Sequence, residues 1–120
     1  MAVFLTPLVL HPLPERRWQV MAPFRIHLRS AMVLTVPEGF VTDLNSLPRI
    51  WWSVSPASDY PEAGVAHDYL YATQANKAGA DSVYLELLEA LGMSRPRRLA
   101  RYWALVLFGG PAYASHRPGG

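Results

Sequence analysis

Two short stretches of this chain hold the residues whose types and spacing can do chemistry. The first is Val36-Pro37-Glu38-Gly39-Phe40-Val41-Thr42-Asp43-Leu44-Asn45-Ser46-Leu47-Pro48-Arg49, a β-rich run that ends in a polar turn. The second is Ala66-His67-Asp68-Tyr69-Leu70-Tyr71, a His-Asp pair inside an apolar, aromatic helix. Histidine titrates near neutrality, so His67 is suited to general-base work if a carboxylate orients its ring. Its neighbour Asp68 points about 100° away around a helix, so the two cannot converge on one point. The orienting carboxylate must then come from elsewhere, and Asp43 and Asp81 are the candidates. The catalytic reading names His67 as base with Asp43 as the orienting carboxylate, and keeps the adjacent Asp68 as a neighbouring charge. The same chemistry allows a second reading, in which His67, Asp43 and Asp81 supply imidazole and oxygen ligands to a divalent metal ion.

Each of these residues also has a purely structural role open to it. Asp43 suits the cap of a turn or helix, because its side chain can accept from free backbone N–H groups. Asp81 suits a helix start, where the dipole favours negative charge. His67 can be a core histidine that is satisfied by a carbonyl or carboxylate. Asp68 can pair with Arg49, whose planar fork matches a carboxylate. Other chemistries lack their residues. There is no cysteine, hence no thiolate metal site, disulfide or cysteine nucleophile. The His at i and i+4 of a zinc protease, a phosphate-binding glycine loop and a Gly-x-Ser-x-Gly elbow are all missing.

The elements that must position these groups follow from periodicity. The 120 residues suit one domain, spanning 1–120, and 51% are hydrophobic, enough for a real core. The apolar start, Met1 to Leu10, reads as a buried strand. Two prolines break it, and it lacks the basic leader of a signal peptide. Trp18, Val20 and Ala22, then Phe24, Ile26 and Leu28, alternate with Arg25, His27 and Arg29, the period of a half-buried strand. Pro23 marks an edge or bulge in it. Met32 to Val36 is a further strand, closed by a Pro37-Glu38-Gly39 turn in which Gly39 can take positive φ. Together these predict a small antiparallel sheet over about residues 3–42.

Three helices follow. The first starts near Asp59-Tyr60-Pro61 and runs to about Thr73, and the second starts at Ala80-Asp81. The second presents Val83, Tyr84, Leu87, Leu88 and Leu91 on one face and ends at Gly92. Ser94 and Pro96 open the third, whose expected buried face is Leu99, Tyr102, Trp103, Val106 and Leu107. The fold class is thus α+β: a small antiparallel N-terminal sheet packed by three C-terminal helices.

Charge narrows the partners. The formal net charge is +2 and the pI about 9.2. Arg95-Pro96-Arg97-Arg98 with Arg101 is a small cluster, which fits a helix start or a protein contact better than a nucleic-acid footprint. Nucleic acid is not an expected partner. No apolar run approaches the roughly 20 residues of a membrane span. Only 17% of residues are charged and 11 are proline, so some apolar surface is expected to face a partner.

The two opening stretches also carry a family resemblance. Val36, Pro37, Gly39, Phe40, Thr42, Asp43, Leu44, Ser46, Pro48 and Arg49, then Gly64 to Tyr71, then Ala80-Asp81, resemble the family known as domain of unknown function 1353. A weaker likeness continues through Arg101-Tyr102-Trp103-Ala104 to Phe108-Gly109. The resemblance implies a setting in tailed bacteriophages and prophages more than a reaction. On that footing the expected function is a small virion component of the tail or baseplate, assembled in the host cytoplasm, with other virion proteins as partners. The alternatives are a phage-encoded hydrolase of the cell envelope using the His/Asp site, and a soluble protein that modulates the host.

Overall fold

The computed structural model describes residues 2–14, 17–42, 61–73, 75–108 and 110. The fold is α+β, with strands in the N-terminal third and helices after them. Six short strands form two antiparallel sheets. β1 (Val3–Phe4), β4 (Phe24–His27) and β5 (Val33–Val36) make one, in the order β1-β4-β5. β2 (Leu10–Leu13), β3 (Arg17–Val20) and β6 (Val41–Thr42) make the other, in the order β2-β3-β6.

The alternation read from the sequence sets the faces. In β4, Phe24 and Ile26 are buried and Arg25 and His27 exposed. Pro23 falls between β3 and β4, where the chain leaves one sheet for the other. A residue without an N–H serves there because no ladder bond is asked of it. The apolar start is not one buried strand. Pro7 separates the two-residue β1 from β2, and Ala2, Phe4, Leu8 and Leu10 turn inward while Val3, Leu5 and Val9 are exposed, Phe4 stacking on Phe24 with ring centroids 6.0 Å apart. At the end of β5, Gly39 takes φ +92° in the turn that bonds the Phe40 N–H to the Pro37 carbonyl and starts β6.

The helices are α1 (Pro61–Ala72), α2 (Lys77–Ala90) and α3 (Arg95–Phe108). Pro61 opens α1, as a proline can at a position whose N–H has no helical partner. α2 begins three residues before the expected start. Asn76 is its N-cap, with the side-chain oxygen accepting from the Gly79 N–H at 3.0 Å. Asp81 therefore sits in the second turn, beyond the free N–H groups, and does not serve as a cap. α2 ends in a tight reversal. The Gly92 N–H bonds the Glu89 carbonyl, the Met93 N–H bonds the Leu88 carbonyl, and Gly92 has φ +87°. Met93 and Leu88 are both buried, which adds the hydrophobic contact such an ending favours.

One core joins all layers. Val20, Phe24, Ile26, Leu28 and Val36 from the strands meet Ala63, Val65 and Ala66 of α1 and Tyr84, Leu87 and Leu88 of α2. Burying each large side chain stabilises the fold by about 1.5–3 kcal/mol. α2 packs against both α1 and α3, so it lies between them.

α3 corrects an expectation. Trp103 is 55% exposed and Leu107 67%, and Val106 is exposed too, although these were expected to be buried. The helix turns Arg101, Ala104 and Leu105 inward instead. The reason is polar as well as steric. Arg101 reaches the Tyr84 hydroxyl, the Leu105 carbonyl accepts from Lys77, and the small Ala104 lets the helices approach. The basic cluster is divided by the same rotation: Arg95 and Arg97 face out, Arg98 donates to the Met93 carbonyl at 3.1 Å, and Arg101 is buried.

Candidate functional site

α1 and α2 meet along faces set by helical spacing. His67 and Tyr71 are four residues apart on α1, and Lys77 and Asp81 four apart on α2, so each pair shares a face. Where the faces meet, Asp81 is the hub. The His67 Nε2–H donates to Asp81 Oδ1 at 2.8 Å, and the Tyr71 hydroxyl donates to the same oxygen at 2.6 Å. The Lys77 ammonium donates to Oδ2 at 2.8 Å and to the Leu105 carbonyl of α3 at 2.9 Å. One carboxylate thus collects both helices, and its lysine carries the link on to the third. The His67 ring lies 4.0 Å from the Tyr71 ring centroid and 5.2 Å from that of Tyr84. Arg101 Nη1 donates to the Tyr84 hydroxyl at 3.3 Å.

The site is sealed. His67 is 0% and Asp81 1% exposed. Burial, which disfavours the charged ring, is the largest influence on His67 and outweighs the attraction of Asp81 and Asp68, so its pKa falls below 6.5. Burial pushes the other way on Asp81. The hydrogen bonds from His67, Lys77 and Tyr71 together overcome it and hold the carboxyl below its ordinary 3.8. At neutral pH the pair is therefore a neutral imidazole beside a carboxylate. A carboxylate only accepts, so the proton is on Nε2 and Nδ1 is the acceptor of the ring. Burial also raises Tyr84 above 10, against the opposing pull of Arg101.

Chemically this is a histidine held in one tautomer by an aspartate, the arrangement that orients a general base. It is also a buried hydrogen-bonded network, which fixes the mutual register of three helices. Of the residues singled out by sequence, His67 and Asp81 are brought together. Asp68 is buried on the adjacent position of α1, and it acts on His67 as a nearby charge. Asp43 and Arg49 lie outside the described residues, so the Asp43 part of the site and the Asp68–Arg49 pairing fall there too. For the divalent ion, His67 Nε2 and Asp81 Oδ1 are bonded to each other, and Lys77 sets a positive charge on Oδ2. Among the described residues, no group of three or more His, Cys, Asp or Glu is placed to hold a metal ion.

Sequence reasoning missed Lys77 altogether and took Tyr71 for a plain aromatic and Arg101 for part of a surface cluster. The i, i+4 spacing of Lys77 and Asp81 was the available signal, hidden by placing the helix start at Ala80. Among the described residues, no helix is long and apolar enough to cross a membrane. No curated protein and no solved structure matches the chain. The family profile described as "protein of unknown function (DUF1353)" matches residues 18–105, from the second residue of β3 through the buried Leu105 of α3 and so across the whole network, and the chain belongs to that family.

Proposed function

We propose that this protein is a small binding and structural component of a multiprotein particle, of the kind expected in a phage tail or baseplate. The observation that carries this reading is the outward apolar arc of α3, formed by Trp103, Val106 and Leu107. Leaving a tryptophan and a leucine in water while an arginine is drawn inside costs burial energy, and contiguous exposed apolar surface commonly marks a protein contact. The low charge of the chain and the setting that its family resemblance implies support the same reading. The His67 network then serves to hold α3 at the rotation that presents this arc.

The test is incorporation. Particles produced by a host carrying the gene are purified by density gradient and their proteins identified by mass spectrometry. The wild-type chain is expected in the particles, and Trp103→Glu/Leu107→Glu is expected to fold normally but to be depleted from them. Recovery of the chain only in the soluble fraction, or equal incorporation of the double variant, overturns the reading.

A second reading is favoured by the His67–Asp81 pair, whose geometry suits a general base: an envelope hydrolase carried by the particle. It requires that His67 gain access to substrate. Purified protein that releases no soluble fragments from isolated cell-wall sacculi sinks it, as does undiminished release by His67→Gln.

A further inference from the structure

Among the described residues, no strand pairs with the outer edge of β5, and the register shows which of its groups face outward. The Leu5 N–H bonds the Arg25 carbonyl, so Arg25 and its alternate, His27, direct their backbone groups toward β1. Phe24, Ile26 and Leu28 direct theirs toward β5, as the bond from the Leu28 N–H to the Met32 carbonyl confirms. With Phe24 opposite Val36 and Ile26 opposite Leu34, the residues of β5 that face away from β4 are Val33 and Thr35. Each offers one N–H and one C=O. Among the described residues, no backbone hydrogen bond reaches them from that side.

This edge lacks the protection the others have. β2 carries Pro12, and β1 and β6 are two residues long. β5 and its lead-in, Met32-Val33-Leu34-Thr35-Val36, are strongly β-forming and uncharged, with Met32 66% and Val33 43% exposed. Proteins usually guard such an edge with charge, proline or a bulge. Beside it runs an open apolar groove of about 590 Å³, bounded by Leu28, Met32 and Leu34 on the strand side and Leu70 and Val83 on the helix side. None of its lining side chains is charged.

We propose that β5 is a pairing edge through which two copies of this chain join antiparallel, making one continuous six-stranded sheet. The choice of a second copy rests on self-complementarity. The outward pair Val33 and Thr35 is symmetric about Leu34. A two-fold axis through Leu34 sets Val33 opposite Thr35 of the other copy and Thr35 opposite its Val33, and all four outward donors find acceptors. Leu34 then meets Leu34, and Met32 lies opposite Val36, which extends the apolar row beside the groove. An uncharged lining brings no like charges together across the axis.

Sedimentation velocity over a wide concentration range tests this, with circular dichroism as the check on folding. The wild type is expected to show a concentration-dependent dimer. Val33→Lys, an exposed site, is expected to remain folded and to weaken the dimer by about tenfold or more, since lysine at an edge opposes pairing. The register is tested separately by Leu34→Cys in this cysteine-free chain. Residues facing each other in a non-hydrogen-bonded pair come within about 4.5 Å between Cα atoms, so mild oxidation should give a covalent dimer. Val3→Cys, at the far edge of the sheet, should not. A wild type that stays monomeric throughout overturns the proposal. So does a dimer that survives Val33→Lys, one that dissociates with Trp103→Glu instead, or one that fails to cross-link through Leu34→Cys.

Discussion

Replacing Asp81 by alanine tests the central claim about this fold, that one carboxylate ties the three helices together. Three donors lose their acceptor: the His67 ring, the Tyr71 hydroxyl and the Lys77 ammonium. Lys77 contributes least to the loss, because its side chain is 25% exposed and retains the Leu105 carbonyl. His67 and Tyr71 are both fully buried, and stranding a buried donor costs about 1–3 kcal/mol. Removing one member of a buried charged network costs about 3–5 kcal/mol in comparable cases. We take about 4 kcal/mol for Asp81→Ala, a large part of the roughly 5–15 kcal/mol that holds a domain together. For a chain of this length that is a drop in Tm of about 15 °C. Urea unfolding followed by tryptophan fluorescence measures it, with thermal unfolding alongside. Asp81→Asn is the informative companion. Its carbonyl can still accept from His67 and Tyr71, while its amide faces Lys77, so the loss should shrink to about 1–2 kcal/mol. If Asp81→Ala costs less than about 1 kcal/mol, or Asp81→Asn costs more than Asp81→Ala, the carboxylate is not the brace described.

The same network sets a pH dependence. The folded pKa of His67 is lowered, so below 6.5 the unfolded chain takes a proton that the folded chain refuses, and stability falls as pH drops from about 6.5 toward the folded value. Asp81 is lowered as well, and its contribution, complete above 3.8, is lost as pH falls through its folded pKa. Urea midpoints measured against pH should fall in both ranges, and in His67→Gln the near-neutral fall should flatten. Tyr84, raised above 10, keeps its contribution below that pH and loses it as pH rises through the folded value, so stability should also decline at strongly alkaline pH. Two glycines should respond with opposite signs in thermal unfolding. At Gly92, with φ +87° and open space around an added Cβ, alanine should cost about 1 kcal/mol through backbone strain alone. At Gly79, inside α2 with only ordinary contacts at 3.8 and 3.9 Å, alanine should stabilise by about 0.5–1 kcal/mol.

What the sequence by itself determined is what local sterics and period control. The alternation of Phe24, Arg25, Ile26 and His27 decided the inner and outer faces of β4, because successive side chains of a strand point to opposite sides. Gly39 and Gly92 marked their turns because each backbone there needs positive φ. The Pro61 start of α1 and the Tyr84, Leu87 and Leu88 face of α2 were legible for the same reason, as was the reading of His67 as a core histidine satisfied by a carbonyl or carboxylate. Its partner was not. Asp43 and Asp81 were both candidates, and it took the meeting of one face of α1 with one face of α2 to set Asp81 against His67. The division of the strands into two sheets and the rotation of α3 were decided at the same level. The hydrophobic pattern of α3 points Trp103 and Leu107 inward. The positions of the Tyr84 hydroxyl and of Lys77, fixed by α2, set Arg101 and the Leu105 carbonyl inward instead. A period reports which residues share a face, but buried polar groups must find partners in space, and that requirement decided which face this helix buries.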